Sequence, residues 1–205
     1  MGFALLLLAA PPALAEENAR GAELFNLCSQ CHGPDAGGNR LFLAPAIAGM
    51  SEWYVAGQLE HFKSGARGKH FNDYSGMRMR PMAMTLLREG DIEAISKYIA
   101  ALPPAPPAAE LEGGDPASGK TLYGVCVACH GPQGEGNQAL NAPSLSLTND
   151  WYIKDSLDRY KQGVRGSNPG NPNGAIMRGM VGVLTTDQAV LDVAAFIATL
   201  NNAQK

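Results

Sequence analysis

Apolar residues recur at helical spacing near the end of each half of the chain. They fall every three or four positions over residues 92–102 and again over residues 190–200. Such spacing predicts amphipathic helices, each with one apolar face turned towards a core. Further helices are expected over residues 19–27 and after Ser51, whose side chain can cap the helix that follows. No segment alternates apolar and polar residues as a strand does, so the pattern predicts an all-α fold.

The two halves are copies of one another, because one constant offset relates their motifs. Cys126 lies 98 positions after Cys28, and every other identical pair keeps that separation. We therefore predict a duplicated domain, with an N-terminal copy over residues 16–102 and a C-terminal copy over residues 116–205. The aligned pairs include Cys31/Cys129, His32/His130, Pro45/Pro143, Trp53/Trp151, Tyr54/Tyr152, Arg67/Arg165, Met79/Met177 and Met82/Met180.

Residues 103–115 join the two predicted domains and are rich in proline. Proline-rich sequence favours an extended, semi-rigid connection, and Gly113 and Gly114 are expected to restore freedom of movement after it. The alternative is an ordinary surface loop. A stiff linker would hold the domains in a limited set of arrangements.

The first fifteen residues, MGFALLLLAAPPALA, combine a short apolar run with an A-x-A sequence. This is the pattern of a secretory signal peptide, here with predicted cleavage after Ala15. A membrane anchor is the alternative, but the run is shorter than the roughly 20 apolar residues that span a bilayer. We therefore expect export to the periplasm.

Composition and charge narrow the choice of partners. The formal net charge is −3, with only 17% charged residues. A nucleic-acid-binding domain normally presents a basic face, so a nucleic-acid partner is not expected. The numerous glycines and prolines, 24 and 14, indicate short helices joined by long ordered loops.

All four cysteines lie in two Cys-x-x-Cys-His motifs, CSQCH at 28–32 and CVACH at 126–130. This motif is typical of covalent haem attachment, in which each thiol bonds one vinyl group and the histidine reaches the iron. A zinc site, a redox-active disulfide and two structural disulfides are the rival interpretations. They fit less well, because each pair of cysteines has its own histidine and no βαβ pattern surrounds either motif. The duplication therefore predicts two haem c groups.

Each haem iron has a second axial position, on the side away from the motif histidine, which another residue can fill. Met82 and Met180 are aligned and precede the last helix of each copy, so we predict His32/Met82 and His130/Met180 iron ligation, which favours electron transfer. Met79 and its counterpart are the runners-up, with packing as their other role. Met84 has no counterpart in the second copy, and its ligation is left open. His61 and His70 also lack histidine counterparts, and are predicted to be ordinary surface or core residues.

With these motifs the chain resembles the class I cytochrome c family, and more closely its dihaem cytochrome c4 group. The resemblance covers nearly all of residues 18–202 and rests on CSQCHGP and CVACHGP, MRPMAMTL and MRGMVGVL, and the proline-rich join. It implies two small helical domains, each wrapping one covalently attached haem, with the propionate edges of the haems facing each other.

The resemblance also implies roles for individual residues. Pro45 and Pro143 match a family proline whose carbonyl accepts a hydrogen bond from the proximal histidine; loop geometry is the other interpretation. Arg67 and Arg165 are candidate partners for the haem propionates, or else solvated loop arginines. The remaining family marks lie where the first and last helices of each copy cross: Gly21, Phe25 and Tyr98, and Gly119, Tyr123 and Phe196.

Three functions are compatible with two such haems. The first is an electron carrier, not an enzyme, that accepts electrons from a quinol-oxidising complex and donates them to a terminal oxidase, with loose membrane association through these complexes. The second is a dihaem subunit of a larger oxidoreductase, such as flavocytochrome c sulfide dehydrogenase. The third, a dihaem peroxidase, would need an exchangeable iron site, which the aligned methionines disfavour.

Overall fold

Helices form the ordered framework of the computed structural model, which describes residues 12–202 and the side chains of residues 19–201. Within them the only β-type pairings are two isolated bridges, so the all-α prediction is confirmed. Residues 1–11 of the predicted signal peptide lie outside the described residues, and its cleavage stays a prediction. The helices are α1 Pro12–His32, α2 Glu52–Ser64, α3 Tyr74–Met84, α4 Asp91–Ala101, α5 Pro116–Tyr123, α6 Val127–His130, α7 Asp150–Lys161, α8 Pro172–Met180 and α9 Asp187–Asn202.

The first and last helices of each copy cross at a glycine. A Cβ on Gly21 would lie 2.5 Å from the Ala94 carbonyl oxygen of α4, and one on Gly119 would lie 2.0 Å from the Asp192 carbonyl oxygen of α9. Only glycine permits such a close approach. Beside the crossings, Phe25 packs on Tyr98 with ring centroids 5.4 Å apart, and Tyr123 packs on Phe196 at 5.2 Å. Both predicted crossings are therefore present.

Each copy has its own hydrophobic core. The apolar faces of α2 and α4 meet in the first copy, where Leu59, Ile95 and Ile99 are buried. The faces of α7 and α9 meet in the second copy, where Ile153 and Val193 are buried. Separate cores are what two tandem domains require.

The first turns of α2 and α9 are stabilised in different ways, and that of α2 differs from the expected side-chain cap. Ser51 does precede α2, but its side chain makes no capping hydrogen bond, and the first turn is held by its backbone carbonyl instead. By contrast, α9 has a side-chain cap, because the hydroxyl of Thr186, the residue before this helix, accepts a hydrogen bond from the Ala189 amide at 3.1 Å. A side-chain cap therefore exists at only one of these two helices.

The connection over residues 103–115 is irregular and is fixed to the second copy. The Asp150 carboxylate accepts hydrogen bonds from the amides of Glu110 and Leu111, at 2.8 and 2.9 Å. Gly114 packs against α9, since a Cβ there would lie 2.7 Å from that of Ala195. Close packing therefore constrains Gly114, whereas the expected freedom of the chain at Gly113 stays a prediction.

Polar contacts join the two copies directly. The Asn149 side-chain oxygen accepts a hydrogen bond from the Ala46 amide at 2.7 Å, and this contact is buried. Arg159 on α7 forms a buried ion pair with Asp73, which precedes α3. These bonds hold the cores in one arrangement.

No single helix among residues 12–202 is both long and apolar enough to cross a membrane. One pair, Pro172–Val183 with Asp187–Asn201, meets the length and composition criteria together but bends by 111° at its break.

Candidate cofactor sites

The end of α1 presents the first motif. Cys28 and Cys31 are three residues apart on this helix, so their side chains share one face, and His32 follows at once. In the second copy the helix is interrupted after Tyr123, and Cys129 and His130 lie on the separate short helix α6. All four cysteines are unpaired and only partly buried. The structure therefore supports neither the redox-active disulfide nor the structural disulfides that were the rival interpretations.

Both motif histidines are buried and oriented by a proline carbonyl. Nδ1 of His32 lies 2.7 Å from the Pro45 oxygen, and Nδ1 of His130 lies 2.8 Å from the Pro143 oxygen. Burial lowers the pKa of each imidazole, although the carbonyl contact opposes the shift. A neutral ring that donates from Nδ1 keeps its lone pair on Nε2, which is the form that ligates a metal.

Each copy encloses a largely apolar cavity that brings the predicted cofactor residues together. The first cavity is lined by Cys28, Cys31, His32, Pro45, Arg67, Met79 and Met82, and the second by Cys126, Cys129, His130, Pro143, Arg165, Met177 and Met180. Met84 is absent from the lining and 46% exposed, whereas Met82 lines the cavity and is 39% exposed. The choice of axial methionine stays a prediction.

The two aligned arginines are buried, not solvated. Arg67 lies 4.4 Å from the centre of the Phe62 ring, and Arg165 lies 4.5 Å from that of Tyr160. Each is 7% exposed, and the Nε of each has no hydrogen-bond partner. A buried guanidinium with an unused donor suits a carboxylate, so this arrangement fits haem propionates.

Tyrosines of the two copies meet between these arginines. Arg67 donates a hydrogen bond to the Tyr152 hydroxyl at 3.4 Å, and Tyr54 and Tyr152 line both cavities. Burial alone would raise the pKa of Tyr152, but Arg67 and Arg165 outweigh it and lower that pKa to about 8. The pKa of Tyr54 is raised to about 12, by burial first and then by Tyr152. The boundary is therefore positively charged, as two facing pairs of propionates would require.

No functional role was predicted from the sequence for Tyr54 or Tyr152, although the two residues align in the duplication. His61 belongs to the first copy but lines the second cavity. The sequence could not predict this position, because His61 has no histidine counterpart in the repeat. His70 lies outside both cavities and stacks on Phe71 with ring centres 4.7 Å apart. Within residues 12–202 no three His, Cys, Asp or Glu side chains cluster as a metal site, which leaves the zinc alternative without a ligand set.

Comparison with protein families gives a match to the cytochrome c model over residues 18–103 and 116–201. The thiosulfate dehydrogenase electron acceptor of Stutzerimonas stutzeri is 32% identical over 188 residues, covering 86% of this chain and 80% of that protein. Cytochrome c4 of Thiocapsa roseopersicina is 32% identical over 204 residues, covering 94% and 97%. The oxidase subunit CcoP of Rubrivivax gelatinosus is 34% identical over 62% of this chain and 38% of its own length.

Solved structures show the same two-domain fold. A thiosulfate dehydrogenase, TsdBA, from Marichromatium purpuratum has a TM-score of 0.74 and 31% identity over 89% of this chain, which spans only 40% of that longer chain. Reduced cytochrome c4 of Pseudomonas stutzeri has a TM-score of 0.69 and 24% identity, covering 88% of this chain and 97% of that one.

Proposed function

The chain belongs to the cytochrome c family as a dihaem electron carrier, and we propose that it carries single electrons from a quinol-oxidising complex towards a terminal oxidase. The observation that supports this function is the shared boundary of the two cavities. Tyr54 and Tyr152 line both, so the two cofactor sites adjoin each other in this arrangement of the domains.

Two haem c groups are the cofactors of this chain, and when bound they supply a reversible one-electron iron couple. In the proposed ligand set, His32 and Met82 serve one iron, and His130 and Met180 serve the other. The two cysteines of each motif would form the thioether bonds to one haem. A methionine thioether raises the reduction potential of a His-ligated haem iron. A high potential suits a carrier that donates electrons to a terminal oxidase.

The chain's own residues set the conditions for transfer. The apolar cavity walls exclude water and so limit the solvent rearrangement that accompanies a change of charge. The carbonyls of Pro45 and Pro143 fix the histidine rings, at 2.7 and 2.8 Å. Arg67 and Arg165 supply buried positive charge for the propionates. Rigid, preoriented groups of this kind are what reversible electron transfer needs.

We also propose that the protein works in the periplasm, after removal of residues 1–15. The apolar run and the A-x-A sequence support this location. The mass and N-terminal sequence of the exported protein test it. A mature chain starting at Glu16 is expected, and a chain that retains Met1 would contradict it.

The proposed route is tested with purified dihaem protein and bacterial membranes. Quinol should reduce the protein only when the quinol-oxidising complex is active, and oxygen should reoxidise it only when the oxidase is active. A specific inhibitor of each complex is the matched control. Reduction that persists with the first complex inhibited would contradict the route.

A second candidate function is the electron-accepting subunit of a larger oxidoreductase. It is favoured by the similarity to the Stutzerimonas stutzeri protein and to part of TsdBA. In the same assay, thiosulfate with a thiosulfate dehydrogenase, or sulfide with a flavoprotein, replaces quinol. Faster reduction by one of these systems, together with co-purification, would favour this candidate over the respiratory route.

A further inference from the structure

A buried carboxylate precedes the helix that carries the candidate axial methionines of the first domain. Asp73 is 1% exposed and caps α3, accepting hydrogen bonds from the amides of Gly76 and Gly68, both at 3.1 Å. It therefore fastens both the start of α3 and the loop that contains Arg67. The candidate axial ligands of this domain, Met79, Met82 and Met84, all lie on α3.

The second domain has a neutral residue in the same place. Asn171 aligns with Asp73 and caps α8 by accepting a hydrogen bond from the Gly174 amide at 2.9 Å. An amide oxygen is thus sufficient for the cap itself. The aspartate adds a negative charge, which is costly to bury unless another group balances it.

The balancing charge comes from the other domain. Arg159 on α7 pairs with Asp73 and also donates a hydrogen bond to the Ser75 hydroxyl at 2.9 Å. The Arg159 Nε donates to Asp155 at 3.0 Å, which fixes the guanidinium on its own helix. A rigid, buried arginine of the C-terminal domain therefore contacts the first turn of α3.

Among the residues that the structure describes, the first domain has no equivalent ion pair to the start of α8. The position that aligns with Arg159 in the first domain is His61. Among the hydrogen bonds of residues 19–201, none joins His61 to Asn171. From the first domain, the Gly65 carbonyl accepts a hydrogen bond from the side chain of Asn168, in the loop before α8, at 3.5 Å, but none of the described charged side chains binds the cap.

We propose that Arg159 is a positioning residue through which the C-terminal domain holds the methionine-bearing helix of the N-terminal domain. The ligation and potential of the N-terminal haem then depend on this charged contact with the C-terminal domain, and the C-terminal haem has no equivalent contact within the part of the chain that the structure describes. The inference rests on the His/Met ligation in the proposed function. It holds whichever methionine of α3 is the ligand, because all the candidates share the helix that Asp73 caps.

The test compares four variants of the dihaem protein: Arg159→Gln, Asp73→Asn, the double variant, and Lys154→Gln. The last removes another cation from α7, one that pairs within its helix with Asp158 at 2.7 Å. Potentiometric titration and the weak methionine-to-ferric-iron absorption band are measured with soluble mediators only. No partner protein takes part, so failure of the proposed route leaves this test intact.

Arg159→Gln is expected to lower the equilibrium constant for reduction of one haem at least tenfold, about 59 mV for a one-electron couple. The methionine band should lose up to half of its intensity. Met180→His identifies the C-terminal haem beforehand, and that haem should keep its potential in the Arg159 variant. Asp73→Asn removes the same contact, so the double variant should differ from Asp73→Asn by no more than about twofold in that equilibrium constant.

Three results would overturn the proposal. The first is unchanged potentials in Arg159→Gln, and the second is an effect of Arg159→Gln that is as large in the Asp73→Asn protein as in the wild type. The third is a shift with the methionine band intact, which would indicate a through-space charge effect. Should Arg159→Gln not accumulate as dihaem protein, Asp73→Asn is measured in its place, because it removes the same contact without leaving a buried charge. Loss of methionine-band intensity in Asp73→Asn supports the proposal, and an intact band overturns it.

Discussion

At the scale of the residue, the group opposite each histidine has the largest effect on the potential. Axial ligands set haem potentials over a span of about 0.8 V, and methionine with histidine gives the higher values. Met82 and Met180 both line their cavities. They are therefore the positions at which one substitution should change one haem alone.

Met82→His should lower one of the two potentials by roughly 100 mV or more, because imidazole stabilises ferric iron better than a thioether does. Met180→His should lower the other potential by a similar amount. A redox titration of each variant measures both values. An unchanged titration for Met82→His would assign the ligand to Met79 or Met84 instead.

Arg165 offers a test of the buried positive charge. Arg165→Gln should lower the potential of the C-terminal haem by an amount on the order of 1 kcal/mol, since a nearby cation favours the reduced, less positive iron. Lys120→Gln removes an exposed cation from the same domain and should leave both potentials in place. Equal shifts in the two variants would count against a specific role for Arg165.

At the scale of the element, each domain depends on one tight helix crossing. The crossing of α5 and α9 leaves no room at Gly119, where a Cβ would lie 2.0 Å from the Asp192 carbonyl oxygen. That oxygen belongs to the backbone of a helix and cannot move aside alone. The crossing therefore fixes the distance between the helix that leads to the second motif and the core.

Gly119→Val should lower the free energy of unfolding of the dihaem protein by about 1–3 kcal/mol, the usual cost of overpacking. Gly179→Ala on α8 is the matched control, because its added methyl group would meet no neighbour within 4 Å. That change should be neutral or slightly stabilising. Chemical denaturation measures both, and equal unfolding midpoints would contradict the crossing as described.

The elements were largely predictable from the sequence, because periodic apolar residues and the repeat mark the helices. The register of the duplication likewise grouped the cysteines, histidines and methionines of each site. Burial of Arg67 and Arg165 was not predictable, since both lie in glycine-rich loops that look solvated. The ion pair of Asp73 and Arg159 could not be predicted either, because it joins the two copies at positions where their residues differ.

At the scale of the whole molecule, direct polar contacts join the two domains. Their cavities share Tyr54 and Tyr152, and the linker is bound to the second domain through Asp150. The domain charges nearly balance, at −1 for residues 16–102 and +1 for residues 116–205. Docking to redox partners is therefore expected to be weak and sensitive to salt.

The central claim is that each copy carries one covalently bound, His/Met-ligated haem. A pyridine haemochrome assay, read with the visible spectrum of the oxidised protein, tests it most directly. The account predicts two haem c groups per chain and a methionine-to-ferric-iron band of two-haem intensity. Replacement of Cys126 and Cys129 by alanine should leave one haem and half of that band. One haem in the unaltered chain, or a spectrum without the band, would contradict the account.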